Sequence, residues 1–151
     1  MKTSAIIPEE FIMPVRAKII PEYNLVYIRY SGFVTLADVQ RSQQETYSHP
    51  CYRVGMCEID DLRAITHVDI KFRDMLNYVS ELLSHHKEMG ETPKVALIES
   101  GPLVYGLARM FTSLVDVKGN ELDVKIVDSD QSACAFLGLP DLSLASLAAQ
   151  A

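Results

Sequence analysis

Positive charge is scarce in this 151-residue sequence: 14 lysines and arginines stand against 20 aspartates and glutamates, a net charge of −6. An acidic surface repels phosphate backbones. No basic run offsets it, so nucleic acid is not an expected partner. Cysteine is scarce as well. Cys51, Cys57 and Cys134 form no CxxC pair, which fits neither a disulfide framework nor a zinc site; free thiols in a reducing cytoplasm are expected. No apolar run reaches the roughly 18 residues of a membrane span. The opening "MKTSAIIPEEFIMP" is too short in its apolar part and too acidic for a signal peptide. The expectation is a cytoplasmic protein without a membrane span.

Several chemistries are missing too. "ESGPLVYG" lacks the lysine and the length of a Walker loop. No Ser-His-Asp or Cys-His arrangement can be assembled. His67-x-Asp69 offers two metal ligands with no third or fourth. In "HHKE" (His85–Glu88) neighbouring side chains face different ways on a helix. No metal and no cofactor are expected.

What is present is an ordinary globular composition, 48% apolar and 23% charged, at a length that suits one domain. Its core is expected over about residues 12–139, with an apolar tail at 140–151 that docks as a helix or frays. Val15–Gly32 reads as a hairpin around Pro21–Asn24. Val26, Ile28 and Tyr30 share one face, and Leu25, Tyr27 and Arg29 the other, the pattern of a strand covered on both sides. Thr35–Pro50 reads as a helix with Thr35 and Asp38 as a capping box. Arg53–Leu62 is a third strand, and Asp69–Gly90 a helix with apolar residues at helical spacing. Strand Lys94–Ser100, a helix from Ser100 to "DVKGN", strand Glu121–Val127 and a short helix Ser129–Pro140 follow. Strands alternating with helices predict a mixed, mostly parallel α/β sheet of about five strands, with an N-terminal antiparallel hairpin and four flanking helices.

Two stretches are chemically dense. "EIDDLRAITHVD" (Glu58–Asp69) is placed at the carboxyl end of a central strand, where open α/β sheets hold ligands. Asp60 or Asp61 with His67 could perform acid–base chemistry. Equally, Asp61 and Arg63 form an ion pair that fixes a loop, and Thr66 and Asp69 cap the next helix. "SGPLVYGLARMF" (Ser100–Phe111) starts a helix whose Ser100–Gly101 end can bind an anion or is an ordinary cap. Leu103, Val104, Leu107, Met110, Phe111 and Leu114 form its apolar face. Tyr105 and Arg109 lie opposite, one turn apart, with Gly106 between them. Gly106 permits close approach by the same chain, by a second copy in a homodimer, or by a ligand.

With "YSGFVTLADV" (Tyr30–Val39), "EIDDLRAIT" (Glu58–Thr66), "YGLARMF" (Tyr105–Phe111) and "ACAFLGL" (Ala133–Leu139), the element order resembles the STAS-like, anti-sigma-factor-antagonist-like fold. It is most similar to its bacterial STAS/SEC14-type small proteins of unknown function. The resemblance implies a four- or five-stranded mixed sheet and regulation or small-ligand binding. The phosphorylatable serine of the sigma antagonists has no counterpart in Thr66–Phe72, where Thr66 is the only hydroxyl, and that switch is not carried over. Three functions follow as alternatives. One is a non-catalytic STAS-like domain binding an apolar or amphipathic acidic ligand through Asp61, Arg63, Ser100, Gly101, Tyr105 and Arg109. The second is a small acid–base enzyme, and the third a protein–protein adaptor.

Overall fold

In the computed structural model residues 13–119 and 121–149 are described; the opening segment weighed against a signal peptide falls outside them up to residue 12. The elements are β1 (Val15–Ile20), a 3-10 turn (Pro21–Tyr23), β2 (Leu25–Thr35), α1 (Leu36–Ser48), β3 (Cys57–Asp69), α2 (Phe72–Met89), β4 (Lys94–Ile98), α3 (Pro102–Lys118), β5 (Asp123–Val127), α4 (Asp130–Leu137) and α5 (Leu144–Ala149). One sheet holds all five strands in sequence order, β1-β2-β3-β4-β5. β1 and β2 pair antiparallel; the other neighbours are parallel. The expected mixed sheet with its opening hairpin is therefore present, with five α-helices rather than four. The fifth comes from the apolar tail, which docks with Leu144 and Leu147 buried.

Local chemistry explains most of the boundaries. Asn24 takes the left-handed conformation (φ 52°) that turns β1 into β2. Thr35 starts α1 as a capping box: its backbone N–H donates to Asp38 Oδ2 at 3.0 Å, and Asp38 N–H donates back to Thr35 Oγ1 at 3.3 Å. Gly90 and Gly138 close α2 and α4 with φ 72° and 70°, a conformation that costs a residue with a Cβ.

Three boundaries differ from the sequence expectation. β3 runs to Asp69, because Ser31–Thr35 of β2 continues to pair with Ala64–Asp69 past two register shifts. The stretch read as a loop after a strand is thus the strand itself. α2 consequently starts at Phe72, with Asp74 accepting from the Lys71 N–H, and Asp69 does not cap it. α3 is entered through Gly101 in the cap position, while Ser100 Oγ donates to the Arg63 carbonyl at 3.4 Å.

The topology also decides where helices go. Crossovers between parallel strands are right-handed almost without exception. Each of the three here steps one strand in the same direction across the sheet. α1, α2 and α3 must therefore land on one face. There they form one core with Val26, Ile28, Tyr30 and Leu62 of the sheet. α4 and α5 follow the last strand and cover the opposite face, over Leu25, Tyr27, Ile59 and Ile98. Among the described residues no helix is long and apolar enough to cross a membrane.

Candidate functional site

Successive side chains of a strand point to opposite faces. On the central strand β3, Glu58, Asp60 and Leu62 therefore face α1–α3, whereas Ile59 and Asp61 face α4 and α5. Both carboxyls sit in mid-sheet: Glu58 lies between Val26 of β2 and Val95 of β4, and Asp60 between Ile28 and Leu97. The direct cross-strand partners of both are aliphatic.

A cavity of about 90 Å³ lies between this floor and the helices. α1 contributes Gln43 and Tyr47 to its wall, α2 Tyr78 and His86, and α3 Leu107 and Phe111. Asp60 is 8% exposed, and its Oδ1 has no hydrogen-bond partner. Burial raises its carboxyl well above the usual range; the Glu58 charge and a hydrogen bond to Glu58 raise it further. Burial raises Glu58 too, while the hydrogen bond from Asp60 pulls it back. The two carboxyls titrate as a pair, and burial disfavours charge on both.

Polar groups ring the pair. Burial, and then the charge of Asp60, pushes the Tyr30 hydroxyl well above its ordinary value. Burial does the same to Tyr47 and Tyr78, with Glu58 the next cause for each. Tyr52, at the same wall, is pushed up to about 12, again by burial first. All four phenols therefore remain neutral donors. Gln43 Nε2 donates to Tyr47 Oη at 3.4 Å, and Tyr47 Oη lies 3.3 Å from His86 Nε2. Burial, then His85, lowers His86 to about 4, so its imidazole is uncharged at neutral pH. Among the described residues no lysine or arginine lines the cavity.

Asp61 belongs to different chemistry on the other face. Tyr27 Oη donates to its Oδ2 at 2.8 Å, and Arg63 Nε and Nη2 reach its two oxygens at 2.9 and 3.0 Å. The same Nη2 lies 2.7 Å from Asp130 Oδ1. Asp130 Oδ2 in turn accepts from the Leu144 N–H at 3.3 Å. Burial would raise the Asp61 carboxyl, but the hydrogen bonds from Arg63 and Tyr27 hold it below its usual value. This network clamps β3 to the starts of α4 and α5. The Asp61–Arg63 ion pair expected of a loop thus exists, within a strand.

The remaining sequence-picked residues are spread apart. Asp60 and Asp61 point to opposite faces. His67 is exposed, stacked on Phe33 with ring centroids 6.0 Å apart and 3.1 Å from Thr66 Oγ1. The acid–base set is thus not brought together. Tyr105 and Arg109 are together, the guanidinium 6.0 Å from the ring centre, along a shallow groove beside edge strand β5. Of the apolar set on α3, Val104 and Leu114 are buried, whereas Leu103 is 54% exposed.

A Cβ built on Gly106 would meet nothing within 4 Å, so no part of the described chain needs the glycine. Gly106→Ala is expected to stabilise a lone chain by about 0.5–1 kcal/mol through helix propensity alone. Urea denaturation measures this. A destabilised variant that also loses a dimer in size-exclusion chromatography would put a second copy on this face instead.

The residues that sequence reasoning passed over are Glu58 as the partner of Asp60, and the phenols above them. Two-residue alternation through "EIDDL" carries the signal, but only once the stretch is read as mid-strand.

No family model matches the chain, and no curated protein matches it. Among solved structures it is similar to a protein of Shewanella loihica described as an uncharacterised DUF3478-family protein with a SpoIIAA-like fold. The TM-score is 0.51 at 16% identity, over 82% of this chain and 91% of that one. At that identity the likeness speaks for architecture, and with the strand order above it gives the chain a SpoIIAA-like, that is STAS-like, fold.

Proposed function

We propose that this chain is a non-catalytic binding domain for a small, largely apolar ligand held between the sheet and α1–α3. The observation that carries the reading is the cavity itself, apolar over most of its wall, with an unpartnered carboxyl oxygen in its floor. Apolar cavities with a few placed polar groups are the usual form of small-molecule sites. Its size sets the scale: an engineered cavity of about 150 Å³ holds benzene, so about 90 Å³ suits something smaller. The acidic head group expected through Arg63, Arg109 and Ser100 does not suit this cavity. Arg63 is engaged on the opposite face, and the floor groups are themselves carboxyls.

Titration with isobutanol tests the reading, followed by methyl NMR. Shifts are expected at Val26, Ile28, Val79 and Leu82, and not at Leu25, Ile59 or Leu144 beyond the sheet. No shifts at millimolar isobutanol, or shifts only in the second core, would overturn it. The adaptor alternative needs a contiguous exposed apolar patch. Phe33, Phe72 and Leu103 are exposed.

A further inference from the structure

We propose that the ligand enters as a short alkylammonium ion, with its charged head on the Glu58–Asp60 pair and its apolar tail among the aliphatic and aromatic wall residues. The inference rests on the ligand-binding reading above and names the chemistry of that same site.

The floor provides hydrogen-bond acceptors and little else. Asp60 Oδ1 is buried without a partner, a costly condition that natural cores avoid. A ligand donor placed there removes the cost. The second carboxyl, Glu58, is two residues away on the same face and lines the same space. Two carboxyls in an apolar chamber call for positive charge, since a buried charge is tolerated when paired, and the described residues of the lining include no lysine or arginine to provide it. The titratable groups facing the pair are Tyr30 of β2, Tyr47 of α1, Tyr78 and His86 of α2, and Tyr52 before β3; α3 contributes none. Four of these five are phenols, and aromatic faces are favourable surroundings for an ammonium group. Each alternative head group fails a specific requirement. A carboxylate meets like charge. An alcohol supplies one donor and no charge. A primary ammonium supplies three donors and one charge. The volume allows an amine of about five heavy atoms, below the benzene scale.

Calorimetry and methyl NMR with n-butylamine, n-butanol and sodium butyrate, on the full chain and on Asp60→Asn and Glu58→Gln, test the proposal at pH 7.5. Butylamine is expected to bind at least tenfold more tightly than butanol, with shifts at Val26, Ile28 and Leu82, and butyrate not at all. Asp60→Asn should weaken butylamine at least tenfold more than it weakens butanol; Glu58→Gln should act in the same direction. Equal binding of butanol and butylamine, insensitive to both substitutions, would overturn the ammonium inference while leaving the cavity reading intact. So would preferred binding of butyrate, or amine shifts confined to surface residues of this acidic protein. Silence from all three probes would overturn both readings.

Discussion

Asp60→Asn is expected to raise the unfolding free energy at pH 7 and to flatten its dependence on pH. In the unfolded chain Asp60 loses its proton near 3.8, whereas in the fold, buried beside Glu58, it keeps the proton to a well higher pH. Between those two values the unfolded state binds fewer protons than the native state, so stability falls as pH rises, by about 1.4 kcal/mol per pH unit for one such group. The penalty is absent below the unfolded value and is complete above the folded one. Asparagine has nothing to titrate, and its amide can donate to Glu58 as the Asp60 proton does, so the penalty disappears and the packing stays. Urea denaturation of both proteins at pH 4, 5.5 and 7 measures it. The two curves should converge toward pH 4 and separate toward pH 7. Parallel curves would mean that Asp60 is ionised in the fold. The substitution that stabilises the protein is then the one that should weaken amine binding, the trade commonly seen at functional sites.

Arg63→Met should have the opposite sign, a loss of about 2 kcal/mol. The guanidinium holds two carboxylates at once, Asp61 and Asp130. Removing it leaves Asp61 charged in a site where its side chain is only 10% exposed. An abandoned buried charge costs roughly 3–5 kcal/mol; the arginine is itself about a third exposed, so solvent screening reduces the figure. The damage should be local first. Amides of α4 and α5 should exchange faster than those of α1–α3, because the clamp joins β3 to the former pair alone. Adding Asp61→Asn should recover part of the loss, since it removes the stranded charge. In the unaltered protein Asp61 behaves as the reverse of Asp60. Its carboxyl is held below the usual value, so its stabilisation is present above pH ~4 and disappears only as pH falls through that lowered value. Equal stability of Arg63→Met and the parent protein would show that Tyr27 alone satisfies Asp61.

How legible all this was in the sequence depended on whether the deciding interaction was local. The hairpin turn, the Thr35–Asp38 box and the glycines closing α2 and α4 depend on neighbours a few residues away, and all were found. The far half of β3 was not, because "RAITHVD" is polar and charged, and it is a strand only through its pairing with Ser31–Thr35 across the sheet. That one missed extension misplaced the site. With the strand ended at Leu62, Asp60 and Asp61 read as a carboxylate pair beside His67; with it continued, they belong to opposite faces, and Glu58 replaces Asp61 as the partner of Asp60. Tyr30, Tyr47 and Tyr78 come from three different elements, and no spacing rule connects them. At Gly106 the structure has open space, so of the three approaches its spacing allowed, packing against the described part of its own chain is the one the glycine does not serve.

Because the strand order equals the sequence order, each strand can join the growing sheet as it leaves the ribosome, without waiting for a later one to fill a gap beside it. The two faces do not mature together. The chamber above Glu58 and Asp60 is walled by residues complete at Leu122. Leu25, Ile59 and Ile98, under the other face, stay bare until α4 and α5 arrive. A nascent chain stalled between those points would carry a formed ligand chamber on one side and a naked apolar sheet on the other, which makes the C-terminal helices the segment on which solubility during synthesis depends.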